Sequence, residues 1–242
     1  MIGARVIVKR GSREEAEKPF WISFSDLMSA LMVLFLVVMS VALLAVTKRV
    51  SDAELAKAQR EKEIAELLQR VQDAAQEFTG VRVEGQSINF GDRARFELNS
   101  YKLTEEQAFL LRAFVPKVLA IANDPLGRKW FKRIVVEGFT DQAGSYLFNL
   151  NLSLKRSQRV LCALMATPLP RERPLIDDEK DQIRKLFLVG GYSFNSSKEK
   201  PEESRRIELR LEFMGIGEAA ASPKEAPSAY SDSCYIDWNR PE

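Results

Sequence analysis

The chain has 242 residues, with 36 Lys and Arg against 34 Asp and Glu, and a formal charge of +2 supplies no basic field for nucleic acid. It holds no histidine, which removes His-based triads, His metal sites and histidine proton relays. The length allows one or two ordinary domains after a membrane-spanning stretch is set aside.

Residues 1–19 read as a short polar arm with charges of both signs. From Phe20 to Val46 the only formal charge is Asp26, and Leu27 through Val46 is apolar apart from Ser29 and Ser40. About 20 apolar residues at roughly 1.5 Å rise each cross the hydrocarbon core of a bilayer, so 20–46 is read as one transmembrane helix. The run is too long for a signal h-region, holds an acid and follows a charged arm; a retained anchor is expected. Asp26 lies about 9 Å inside the stretch. A carboxylate in a spanning helix is costly and marks an ion or proton pathway, unless it sits at headgroup level and only begins the helix. Pro19, Phe20 and Trp21 already supply an interfacial start upstream, which favours the pathway. Ser25 and Ser29 either line that path or hydrogen-bond the helix backbone. Lys48 and Arg49 follow the helix as closely as Lys18 precedes it, so positive charge orients it only weakly.

Residues 47–79 read as continued helix, free of Pro and Gly until Gly80. Ile64, Leu67, Val71, Ala74 and Phe78 recur at spacings of three and four, a two-heptad seam. It fits the stalk of a dimer, a solvated spacer, or a plug that closes the ion path before activation.

A compact domain is expected over 80–214. Val81–Phe90 alternates as a strand with Gly85 at a turn or bulge. Thr104-Glu105-Glu106-Gln107 is a capping box opening a helix toward Ala122, which Pro116 should kink or divide. Residues 123–127 read as a loop, 133–137 as a strand, and 138–148 as a second loop. A helix follows from about Asn149 to Met165, stopped before Pro168 and Pro170. The polar insert 167–183 holds a short helix near Asp177. Leu186–Val189 is a buried strand closed by Gly190-Gly191, and Arg205–Phe213 alternates as a half-buried strand. Strands alternating with helices give an α/β sandwich. Residues 215–242, rich in Ala, Ser, Pro and Glu, form a tail ending in the aromatic cluster Tyr230, Tyr235 and Trp238.

Two stretches resemble known families. Trp21 through Met39, with an aromatic entry, Asp26 and a Met-rich apolar run, resembles the membrane helix of MotB-type stator subunits. Glu137-Gly138-Phe139-Thr140-Asp141-Gln142-Ala143-Gly144-Ser145, continuing to Asn149, Leu152, Ser153 and Arg156, is similar to the OmpA-like peptidoglycan-binding pattern. Ser204-Arg205-Arg206-Ile207-Glu208 matches that family's terminal R-R strand. Phe139 departs from it where a His is common, and Ser157 where an Ala is usual. The order of the stretches, an acid-bearing helix, a helical linker and an OmpA-like βαβαβ domain, is the MotB layout. The whole resembles most the MotB-like component of Zorya anti-phage defence systems, with a flagellar stator subunit or a passive wall anchor as alternatives.

The resemblance implies that Asp26 carries the ion, read as a proton, with no cofactor, metal or catalytic centre. It implies a homodimer inside a ring of MotA-like multi-helix subunits, a cytoplasmic N-terminus and a periplasmic domain. Peptidoglycan of the diaminopimelate type is the implied ligand. Asp141 pairs with its ammonium, Arg156 forks onto its carboxylate, and Asn149 orders the loop or donates to the ligand. Thr140 belongs to the same motif, and Leu152 and Phe148 shape the pocket or the core. In an oxidising periplasm Cys162 and Cys234 either pair, or stay as a core residue and a free or intermolecular thiol.

Overall fold

The computed structural model describes residues 13–166 and 172–218, with side chains from residue 21 onward. The proline stop at 168–170, Cys234 and the aromatic cluster of the tail lie outside the described residues. The chain forms two units, divided between residues 58 and 59.

The first unit consists of the helix α1 (Arg13–Gln76) as far as residue 58. Among the described residues it is the one helix long and apolar enough to cross a membrane. Three of its hydroxyls turn onto the backbone: Ser29 donates to the Ser25 carbonyl, Ser40 to that of Leu36 and Thr47 to that of Leu43, each at 2.8 Å. Of the two roles open to Ser29, the structure gives it the helix backbone.

The last turns of α1 belong to the second unit, which therefore begins at Gln59 and not at residue 80. The reason is the seam. Leu67 and Val71 have no exposed surface, Ile64 and Ala75 almost none, and Ala74 and Phe78 pack at the margin of the same core. A seam covered by its own domain is not offered to a second helix, so the stalk reading gives way from residue 59 onward. Phe114 closes the contact, meeting Phe78 and Phe90 edge to face at 5.4 and 5.7 Å.

A five-stranded sheet carries the rest, in the spatial order β1 (Arg82–Glu84), β2 (Ser87–Asn89), β5 (Ile207–Phe213), β3 (Phe131–Gly138) and β4 (Phe187–Gly191). The stretch 81–90 is a hairpin of β1 (Arg82–Glu84) and β2 (Ser87–Asn89), with Gly85 in its turn at φ +62. Thr104 and Gln107 form the expected capping box, and α2 (Glu105–Asn123) runs through Pro116 undivided. The expected loop at 123–127 instead opens α3 (Pro125–Trp130): Asp124 caps it by accepting from Gly127 N at 2.6 Å, and Pro125 takes the first position. Then come β3 (Phe131–Gly138), α4 (Tyr146–Met165), α5 (Asp177–Leu186), β4 (Phe187–Gly191), α6 (Pro201–Ser204) and β5 (Ile207–Phe213). Gly190 and Gly191, expected to end β4, pair with Glu137 and Gly138 inside the ladder. Helical crossovers make β3 and β4 parallel, whereas β5 lies antiparallel beside β3. Gly138 lets α4 settle onto the end of β3: a Cβ there would stand 2.0 Å from the Ser153 carbonyl oxygen.

Candidate functional site

The motif residues converge where β3 ends, in the loop 139–145, against the N-terminus of α4. Ser145 caps that helix by accepting from Phe148 N at 3.3 Å, so it starts three residues before the expected Asn149. Asn149, almost fully buried, donates from Nδ2 to the Ala143 carbonyl at 2.8 Å. Of its two expected roles it takes loop ordering. Leu152 is buried, while Phe148 is half exposed and lies over Gly144. The Thr140 hydroxyl is buried without a hydrogen-bond partner.

Asp141 is buried to 7 % exposure but fully engaged: Oδ1 accepts from Ala143 N at 3.2 Å and Oδ2 from Arg205 Nη1 at 2.8 Å. Arg205 also donates from Nε to the Phe96 carbonyl at 3.0 Å. Arg156 departs from its expected place. Its side chain has no exposed surface, and its guanidinium stands 4.9 Å from the Phe96 ring centroid. It donates to three backbone carbonyls, those of Phe139 (2.7 Å), Ser100 (2.9 Å) and Glu97 (3.2 Å). A guanidinium so committed holds residues 97–100 to the end of β3, and with the side chain fully buried its two remaining N–H groups do not face solvent. Burial pushes its pKa down to about 10 against the pull of Asp141, with Arg205 acting in the same direction as burial, so it stays charged at neutral pH.

The cation on Asp141 is thus Arg205, which the motif alone did not assign. Its signal in the sequence is the Arg205-Arg206 pair, but the partner lies 64 residues away. Arg206 bonds Glu208 at 2.6 Å and stacks on Phe139.

Cys162 is disulfide-bonded, and its expected partner lies outside the described residues.

Residues 8–53 match the family described as membrane MotB of the proton-channel complex MotA/MotB. The Zorya protein ZorB of Escherichia coli O139:H28 is 46% identical over 219 residues, covering 89% of each chain. That length exceeds the second unit, so the match reaches into the membrane helix as well.

The chain belongs to the ZorB family of MotB-type proteins.

The MotB-type, Zorya-like resemblance read from the sequence is therefore borne out. Solved structures similar to this ZorB-family chain include the periplasmic domain of Helicobacter pylori MotB, 17% identical, covering 57% of this chain and 82% of that one, with a TM-score of 0.38. Another is the cell wall anchor of the T6SS from Pseudomonas aeruginosa, 20% identical over 60% and 96% of the two chains, with a TM-score of 0.37. The architecture itself rests on the strand order given above.

Proposed function

We propose that this ZorB-family chain is the wall-anchored, ion-carrying subunit of a stator-like inner-membrane motor acting in anti-phage defence. The observation that carries this is the 46% identity to the Zorya protein ZorB across both units. The MotB match over residues 8–53 supports the membrane half.

In this reading Asp26 carries a proton. It is the one formal charge between Phe20 and Val46, on a helix whose neighbouring Ser29 is spent on backbone. Two such helices, from a homodimer with cytoplasmic N-termini, stand within a ring of MotA-like subunits. The second unit then lies in the periplasm and grips peptidoglycan.

For the grip, a diaminopimelate side chain offers an ammonium and a carboxylate together. Inserted into the Asp141–Arg205 pair, it places its ammonium on Asp141 and its carboxylate on Arg205, so no buried charge is left uncompensated. Arg156 keeps the loop in shape beneath.

Phage plating on cells carrying the native gene neighbourhood tests the motor. Asp26→Asn should abolish protection with protein level and membrane insertion unchanged; full protection by the variant sinks the ion role. Sedimentation with purified cell wall tests the grip separately. Asp141→Ala and Arg205→Ala should each release the protein into the supernatant, and undiminished pelleting of both refutes the site.

A further inference from the structure

A cleft of about 530 Å³ lies in the second unit, between the turn that follows α1, the 3-10 turn Gly91–Ala94 and the segment around α6. Its size falls in the range of small-ligand sites. Five cations line it: Arg82, Arg93, Arg95, Lys198 and Arg206. Two of them are already matched, Arg95 by Asp92 and Glu203, and Arg206 by Glu208. Arg82, Arg93 and Lys198 are exposed and make no ion pair among the described residues, and Glu84 is the only unpaired acid opposing them.

The floor is bare backbone. Gly80 and Gly91 both take positive φ, +87° and +55°, and a Cβ on Gly91 would stand 2.9 Å from the Gly80 oxygen. A Cβ on Gly80 would press on the Arg93 stem at 3.3 Å. The two glycines thus keep the cleft open and let Arg93 lie along its wall. Alternation along the backbone separates this place from the Asp141 site: Arg205 serves Asp141, while its neighbour Arg206 walls the cleft.

We propose that this cleft binds an anion bearing two or more phosphate or carboxylate groups, gripped by the forked guanidinium groups of Arg82 and Arg93 with Lys198 as a point charge. The site is independent of the wall-binding reading of Asp141.

Calorimetric titration of the full-length protein in detergent micelles, with pyrophosphate and with citrate, tests it. At least one anion should bind, and which one identifies the phosphate or carboxylate class. The double variant Arg82→Ala/Arg93→Ala should weaken it about tenfold or more, with the thermal midpoint unchanged because both side chains are exposed. Arg82→Lys/Arg93→Lys keeps the charge but loses the forks, and should weaken binding severalfold. Asp141→Ala should leave it intact, whatever that variant does to wall sedimentation. Absence of binding by both anions in the millimolar range overturns the proposal. So does equal binding by wild type and the lysine double variant, which marks diffuse attraction, or loss of binding in Asp141→Ala.

Discussion

The two units carry charge under opposite rules. In the first, Asp26 is the lone formal charge of an apolar stretch, a position evident from composition alone. In the second, the two arginines nearest Asp141 are bound to groups distant in sequence: Arg205 to Asp141 across 64 residues, Arg156 to Ser100 across 56. The position of a lone acid in an apolar helix can be read by inspection. An arginine in a folded domain cannot, because its role depends on which of its five donors the backbone has already claimed.

The largest effect that would sharpen this contrast is at Arg156. Arg156→Ala leaves three backbone carbonyls without their donor, that of Phe139 buried and those of Ser100 and Glu97 partly so, and should lower stability by about 4 kcal/mol. That is a fall in melting temperature of roughly 10 °C for a unit of this size, read by thermal unfolding in detergent. If the variant melts like wild type and fails only in wall sedimentation, Arg156 is a ligand contact after all. Next comes a pair on one helix. Leu67→Ala, fully buried, should cost about 3 kcal/mol, whereas Leu55→Ala, 67% exposed in the first unit, should stay within about 0.5 kcal/mol. Equal effects would erase the boundary at residue 59.

The smallest effect concerns Glu63, which Lys129, Gln59 and Trp130 hold by hydrogen bonds down to a pKa of about 2 from an ordinary 4.5. Because the folded value is depressed, its contribution is complete above about pH 4.5 and disappears as pH falls toward 2. Glu63→Gln should lower the neutral plateau of a stability–pH profile and flatten the acid limb by the same amount, so that variant and wild type converge as pH falls toward 2. An unchanged limb would show that other carboxylates govern it.

Much of the fold was legible. The apolar length of 20–46, the Thr104–Gln107 box and the alternation of Ile207, Leu209 and Leu211 each act within a few residues, where propensity and periodicity operate. Two helix starts were misread although their caps stood in the sequence: Asp124-Pro125 before α3 and Ser145 before α4. The seam at 64–78 was correctly seen as apolar, but periodicity says which face is buried, not against what. At the site, Asp141 in the loop and Asn149 in the first turn of α4 are close in sequence and are legible together. Arg205 and the commitment of Arg156 to backbone arise only when β5 and the segment 96–100 close over that loop.

Trp130, in α3, donates its indole N–H to Glu63 of α1 at 2.5 Å and stands beside the cations of Arg60 and Lys129. The indole is therefore a built-in optical gauge of whether the last turns of α1 are seated. With Trp21 and Trp238 replaced by Phe, its emission maximum and quenching would register release of that segment while the sheet stays folded, in intact membranes and without a label.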